Sequence, residues 1–406
     1  MITASTVGAL EFGERLVIGP NARIAIFACD YTDFEWDGVR EDEGDARACR
    51  FLAETGGPEH AGTLPDCQSA RLDPERENQR NASAMMIDLE TLEAAAALVH
   101  RVVPPTPQYC WPLLSRRVGA ELWVKHENHT PIGAFKIRGG LVYLDAVRRA
   151  QPDIRGVVTA TTGNHGQSIA LAAARLGVDA TIVVPHGNSI EKNRAMEGFG
   201  ARLVEAGHDF QAAFEYATEL AEREKRHFVR SYDPLLVRGV ASYALELFGA
   251  VPDLDTVYVP IGLGSGISGV IAAREALGLT AEIVGVVAAN APTYALSFAA
   301  GGPVSTNSAD TMAGGLAVRV PDPEALDIIC RGAARIVTVS EAEMRRAMRI
   351  LFGDTHNVAE GAGAAALAAA LQERGRLAGK RVAVIQSGGN IDRTLFTEIL
   401  TKRDTE

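Results

Sequence analysis

From about residue 120 the chain repeats one pattern: a short run of β-branched residues, a loop, then an amphipathic or alanine-rich stretch. "GVVTA" leads into "NHGQSIALAAARLG", "ATIVVP" into "SIEKNRAMEGFG", and "ARLVEAG" into "DFQAAFEYATELAERE". Later "TVYVPIG" leads through a glycine-rich turn into "ISGVIAAREALG", and "RVAVIQSGG" leads into "IDRTLFTEILT". Repeated strand–loop–helix units predict an α/β fold of mostly parallel sheets covered by helices on both faces. Ligands in such folds sit at the carboxyl ends of strands, in the loops that open the helices. Three loops therefore carry most of the functional weight: Thr161–Gly166, Gly262–Gly269 and Ser387–Asn390.

The composition sets outer bounds. A chain of 406 residues, 47% apolar and 22% charged, has room for two or three domains. Its net charge of −11 argues against a general nucleic-acid or anionic-membrane binder. The five cysteines, at 29, 49, 67, 110 and 330, form no C-x-x-C pair and are odd in number. They point to a reducing compartment rather than a disulfide framework. The N-terminus lacks a signal-peptide pattern. The longest small-apolar run, "GAGAAALAAAL", is too short to span a bilayer, so the expected location is the cytoplasm. Residues 1–85 differ from the rest: one possible strand at 22–28, an acidic stretch and little hydrophobic period. They read as a partly disordered extension, and Met86, just before a helix capped by Asp88, reads as a natural start or the edge of a dispensable segment.

Within "VPIGLGSGISG", Gly262, Gly264, Gly266 and Gly269 follow a strand and open a helix. Glycines let backbone amides approach a ligand, and the helix adds free N–H groups and the positive end of its dipole. The loop has no Lys or Arg, so an anion there would be held by backbone donors and Ser265. The dipole contributes about 0.3–1 kcal/mol, so several N–H bonds to a charged group, at about 1.5–3 kcal/mol each, would dominate. The ligand-free reading is a tight strand-to-helix turn. Gly264 to Gly269 is also a literal G-x-G-x-x-G, which raises a nicotinamide-dependent oxidoreductase as a rival. That reading needs an acid at the end of the next strand, and "AEIVGVVAAN" has its only acid, Glu282, at the start.

In "TATTGNHGQS" a strand ends in hydroxyl residues, and Gly163, Asn164 and His165 lead into a helix. Free amides and the Thr161 and Thr162 hydroxyls could hold a carboxylate, and the Asn164 amide could bond a ring oxygen. The plain alternative is an N-cap by Thr162 or Asn164. "QSGGN" ends the last strand, with Ser387 projecting and Gly388 and Gly389 clearing space around it. His126-x-x-His129 with Glu127 is a weak metal signal on a strand running into a turn, not the helical spacing a zinc site wants. "GAFKIRGG" places Lys136 at a helix start beside Phe135 and small residues, a setting that depresses an amine's pKa.

Together "GAFKIRGG", "TTGNHGQ", "PIGLGSGISG" and "QSGGN" resemble the pyridoxal-phosphate enzymes of the tryptophan-synthase-β fold, and within them the threonine/serine dehydratases and serine racemase, over about residues 86–401. The resemblance implies two parallel-sheet, three-layer domains, a larger one of 86–157 with 236–406 and a smaller one of 158–235, with pyridoxal 5′-phosphate between them. It implies that Lys136 forms the Schiff base and then acts as base at the substrate α-carbon. Phe135 would lie beside the ring and Asn164 on its hydroxyl. Gly262, Leu263, Gly264, Ser265 and Gly266 would lie in the phosphate loop, with Ser387 facing the ring nitrogen. Thr161, Thr162, Gly163 and His165 would take the substrate carboxylate. The implied reaction is elimination of water from L-threonine, L-serine or a related β-hydroxy amino acid, by a homo-oligomer (dimer or tetramer).

The chain also departs from the pattern. Leu263 and Ser265 interrupt a normally all-glycine loop and would narrow the approach. Val287 and Thr293 stand where racemase-like members carry cation-binding acids, so no metal is expected. Thr162 replaces a racemase serine, which keeps a racemase as the same-fold alternative, beside a dehydratase of another hydroxylated amino acid and a non-catalytic binder. Glu360 matches a glutamate that recurs beside a small-residue helix; by itself it reads as a helix N-terminal acid. Isoleucine feedback through a C-terminal sensing domain is not expected.

Overall fold

The computed structural model describes residues 88–402; the readings made for residues 1–85, and for Met86, lie outside the described residues. Asp88 caps the first helix, its carboxylate accepting the Thr91 N–H at 2.8 Å. That helix is α1 (Leu89–His100), followed by β1 (Gln108–Cys110), α2 (Pro112–Val118), β2 (Glu121–His126) and α3 (Lys136–Ala150). Strands and helices then alternate: β3 (Gly156–Ala160), α4 (Asn164–Arg175), β4 (Asp179–Val184), α5 (Ile190–Gly198), β5 (Arg202–Glu205), α6 (Phe210–Arg223) and β6 (His227–Phe228). The long α7 (Pro234–Ala250) leads to β7 (Thr256–Pro260), α8 (Ser265–Ala276), β8 (Glu282–Ala288) and α9 (Thr293–Ala300). The chain ends with α10 (Pro323–Gly332), β9 (Arg335–Val339), α11 (Glu341–Thr355), α12 (Gly361–Gln372), β10 (Arg381–Gln386) and α13 (Arg393–Thr401).

The strands form two sheets. One has six strands in the order β1-β2-β10-β7-β8-β9, parallel except for β1 against β2. The other has four parallel strands, β5-β4-β3-β6, all drawn from residues 156–228. Every residue of β3 and β7 is buried, as expected for strands covered on both faces. The two-residue period shows which face is which. Val382, Val384 and Tyr258 pack with α2, α11 and α12. Ala383, Ile385, Val257 and Val259 pack with α7, α8 and α10. In the smaller sheet Val157 faces α3 and α4, while Val158 and Ala160 face α6.

The two glycines after Lys136 serve helix packing. A Cβ at Gly139 would stand 2.8 Å from the Leu236 carbonyl oxygen, and one on Gly239 would strike the Arg138 carbonyl, so α3 and α7 cross backbone to backbone. A Cβ at Gly140 would strike Ser168 on α4. Two residues beyond Lys136, Arg138 is wholly buried. Its guanidinium bonds Glu127 at 2.7 and 2.9 Å and Glu246 at 2.6 and 3.0 Å, and Lys125 completes the cluster by donating to Glu246 at 2.6 Å. Desolvation opposes the Arg138 charge, but the two carboxylates overrule it and hold its pKa above the ordinary value. Glu127 is thus committed to Arg138, while His126 stacks on His129 at 5.2 Å and accepts the Trp111 indole N–H at 3.0 Å.

Candidate active site

Lys136 is the first residue of α3, a position fixed from two directions. The chain leaving β10 pairs with the loop before it: Ala134 bridges Gly388, the Phe135 N–H donates to the Ser387 carbonyl at 3.1 Å, and the Gly389 N–H to the Gly133 carbonyl at 2.9 Å. From α4, the Ser168 hydroxyl donates to the Lys136 carbonyl at 2.7 Å. The Lys136 amine lies 5.2 Å from the centre of the Phe135 ring and donates to Ser265 Oγ at 3.2 Å. The residue is half-buried, yet protein surrounds the nitrogen, and desolvation pushes its pKa down to about 8.

Ser265 is buried and begins α8, whose N-cap is Gly264. Gly264 takes a left-handed φ of 104°, and a Cβ there would stand 2.6 Å from Ala325 Cβ, so glycine is required on both counts. A Cβ at Gly262 would strike the Gly315 carbonyl. The first-turn amides of α8 have no acceptor inside the helix, which leaves them for an anion. The Leu263 side chain, expected to narrow this approach, instead packs into the core around α7, α8 and α10, and its carbonyl accepts the Tyr294 hydroxyl at 2.9 Å. Tyr243 holds the loop's other end by donating to the Gly266 carbonyl at 3.1 Å, and its ring meets Phe135 edge-on at 6.1 Å.

At the end of β3, Thr161 is buried and its hydroxyl accepts the Gly163 N–H at 3.1 Å. Gly163 is the N-cap of α4, with no side-chain cap, so neither Thr162 nor Asn164 caps this helix. Thr162 is exposed at the loop tip. His165 is buried, its Nε2 lacks a hydrogen-bond partner among the described residues, and burial, with the Lys136 charge second, pushes its pKa down to about 3. Such a ring stays neutral at any ordinary pH. Asn164 donates to Glu360 Oε1 at 2.6 Å and accepts from Asn390 Nδ2 at 2.7 Å.

Ser387 is buried after the last residue of β10, and its hydroxyl has no hydrogen-bond partner among the described residues. The glycines beside it clear other groups: a Cβ at Gly388 would strike Glu360, and one at Gly389 would stand 2.7 Å from the Val358 carbonyl oxygen. Glu360 is the N-cap of α12 but does not cap it; its carboxylate turns to Asn164. The positions weighed for a cation carry no carboxylate and are buried: Val287 lies in the core and Thr293 donates to the Val318 carbonyl at 2.8 Å.

The family described as "Pyridoxal-phosphate dependent enzyme" matches residues 99–388. The chain belongs to this family. Its cofactor is pyridoxal 5′-phosphate, and the residues present fit that group: a desolvated lysine, a glycine cradle with free helix amides, and the polar atoms of Ser387 and His165 that have no partner among the described residues. An L-threonine ammonia-lyase from Thermotoga maritima is 34% identical over 321 residues, 78% of this chain and 79% of that one. The processed form of threonine deaminase isoform 2 from Solanum lycopersicum superposes with a TM-score of 0.72 at 27% identity, covering 78% of this chain and 95% of that one. Maize serine racemase gives a TM-score of 0.73 at 28% identity, covering 77% and 96%. The tryptophan-synthase-β-like fold and the cofactor agree with the reading from the motifs. Glu360, Asn390 and Lys192 add polar contacts that those motifs did not assign.

Proposed function

We propose that the chain is a lyase that removes water from L-threonine, L-serine or a related β-hydroxy amino acid, the product hydrolysing to a 2-oxo acid and ammonia. The observation that carries this reading is the desolvated Lys136 amine at a helix start, facing Ser265 at the mouth of the glycine cradle. When bound, pyridoxal phosphate supplies an electron-withdrawing ring that takes up negative charge from the substrate α-carbon. Lys136 would hold the cofactor through its amine. Gly262, Leu263, Gly264, Ser265 and Gly266 would hold its phosphate through backbone amides and the Ser265 hydroxyl. Phe135 would flank the ring, Asn164 would meet its ring oxygen and Ser387 its nitrogen.

The substrate carboxylate is assigned to Thr161, Thr162, Gly163 and the neutral His165 at the start of α4. Lys136 Nζ would receive the α-proton. With its pKa near 8, about one amine in ten is neutral at pH 7, against fewer than about one in a thousand for an ordinary lysine. Buried Ser387 would meet the ring nitrogen with a hydroxyl rather than a carboxylate, which would favour loss of the β-hydroxyl from the substrate. We further propose that the two sheets form separate domains in a cytoplasmic homo-oligomer, with the first break moved from 157/158 to 155/156 so that β3 stays whole: 86–155 with 236–406, and 156–235. Among the described residues no helix is long and apolar enough to cross a membrane.

The test is 2-oxo-acid release from threonine and serine of both chiralities, with racemisation followed in parallel. Release from the L-hydroxy amino acids is expected. Racemisation without release would transfer the assignment to a racemase, with Thr162 as the opposite-face group.

A further inference from the structure

The Asn164 carboxamide is gripped from both sides. Asn390 Nδ2 donates to Asn164 Oδ1 at 2.7 Å and to the Ile132 carbonyl at 2.7 Å. A backbone carbonyl can only accept, so Asn390 must present its nitrogen, and its two hydrogens are then fully used. Asn164 must accordingly turn its oxygen toward Asn390 and its nitrogen toward Glu360 Oε1, 2.6 Å away. The far end is compatible with this, because a carboxyl oxygen accepts there whether or not Glu360 is ionised. The polarity of the whole chain is therefore set from the Ile132 carbonyl, and one Asn164 Nδ2 hydrogen is left with no protein acceptor among the described residues.

The surroundings are shaped to this chain. Gly133, at a left-handed φ of 68°, leaves room for Asn390: a Cβ there would stand 2.6 Å from Asn390 Oδ1. Gly388 leaves room for the Glu360 carboxylate. Lys192, in the first turn of α5, lies along Gly163, its Cδ 3.0 Å from where a Cβ would be. Its amine is 3.8 Å from Glu360 Oε2, so a cation carried by the four-stranded sheet's helices reaches a carboxylate at the start of α12. Burial raises the Glu360 pKa, while Lys192 and the Asn164 hydrogen bond oppose that rise. Lys192 thus favours the ionised form, in which both Glu360 oxygens are acceptors.

We infer that Asn390, Glu360 and Lys192 are positioning residues that fix the Asn164 carboxamide in one orientation and reserve its remaining N–H for the cofactor's ring oxygen. This rests on the role proposed above for Asn164. Asn390 and Glu360 act by direct hydrogen bonds, and Lys192 acts through Glu360.

The experiment uses the full chain, with the visible absorbance band of bound pyridoxal phosphate, its pH titration, and the cofactor dissociation constant from titration of the apo-protein. Asn164→Ala is the reference and is expected to shift the band and weaken binding about tenfold, the effect of about one hydrogen bond. Asn390→Asp is nearly isosteric but replaces the donor with an acceptor, and is expected to shift the band in the same direction and weaken binding at least about threefold. Glu360→Ala should do the same, and Glu360→Gln, which keeps an acceptor oxygen, should restore most of the loss. Lys192→Met should give a smaller shift of the same sign. Wild-type band and affinity in Asn390→Asp and Glu360→Ala, with Asn164→Ala shifted, would overturn the inference while leaving the Asn164 assignment standing. An unshifted Asn164→Ala would remove that assignment and the inference with it. If Asn390→Asp fails to fold, the contrast between Glu360→Ala and Glu360→Gln decides alone: equal loss in both overturns the hydrogen-bond role.

Discussion

Lys136 Nζ meets Ser265 Oγ at 3.2 Å, which joins the first residue of α3 to the first residue of α8. One contact thereby places the desolvated Lys136 amine beside the glycine-led start of α8. Lys136→Ala is expected to abolish the borohydride-sensitive absorbance band and to lower 2-oxo-acid release by at least about 10³-fold, within the range of a lost proton-transfer group. Absorbance and steady-state assays on the same preparation measure both.

The depressed Lys136 pKa has a separate consequence for the apo-protein. Only the neutral amine attacks an aldehyde, and burial shifts the protonation equilibrium toward that form. The rate of recombination with pyridoxal phosphate should rise with pH around a midpoint near 8 rather than near that of a free lysine. By linkage, the same shift makes folded apo-protein more stable as pH climbs from about 8 toward the unfolded value of about 10.4, because the unfolded chain holds the proton longer. Stopped-flow absorbance across that range tests the first statement, and urea melts test the second.

The sheets were legible in the sequence because parallel strands buried on both faces leave continuous apolar runs between glycine-marked loops, as in "GVVTA" and "TVYVP". The three loops were legible because each is local. What joins them is not: Asn164 lies 196 residues from Glu360 and 226 from Asn390, so nothing near "TTGNHGQ" announces either partner. The glycines were legible as needs for space but not as to whose space. Gly388 yields to Glu360 rather than to Ser387, and Gly139 yields to α7. Leu263 looked like an obstruction because a linear reading cannot show a side chain turning back into the core.

Gly264→Ala should be costly before any ligand is considered. The substitution forces a non-glycine residue into a left-handed φ of 104° and sets its Cβ 2.6 Å from Ala325. Strain of this kind costs about 1–3 kcal/mol. Urea unfolding of the apo-protein should show that loss. Cofactor affinity should fall further, because the distorted turn no longer aims its amides together.

Arg138→Met should destabilise the fold by about 3–5 kcal/mol, since it leaves Glu127 and Glu246 buried with too few counter-charges. Arg138 belongs to the same helix as Lys136, so the lesion should also loosen the seat of the amine. Chemical denaturation gives the first quantity, and a slower recombination with cofactor the second. Stability unchanged from the parent would show that the cluster is not holding α3.

Ser387 offers the sharpest test of how the ring is tuned. Its hydroxyl has no protein partner among the described residues, and its backbone is pinned by the Phe135 N–H, so a substitution there should alter the chemistry facing the ring more than the fold. Ser387→Asp puts a carboxylate where the ring nitrogen is assigned. It would hold a proton on that nitrogen and strengthen the ring's pull on electrons, stabilising the carbanion instead of driving out the hydroxyl. Cofactor should still bind and keep its visible band, while 2-oxo-acid release falls about tenfold or more, equivalent to about 1.4 kcal/mol in the barrier. Ser387→Ala, which brings no charge, should lose less. Full turnover in Ser387→Asp would mean that the group facing the nitrogen does not set the outcome.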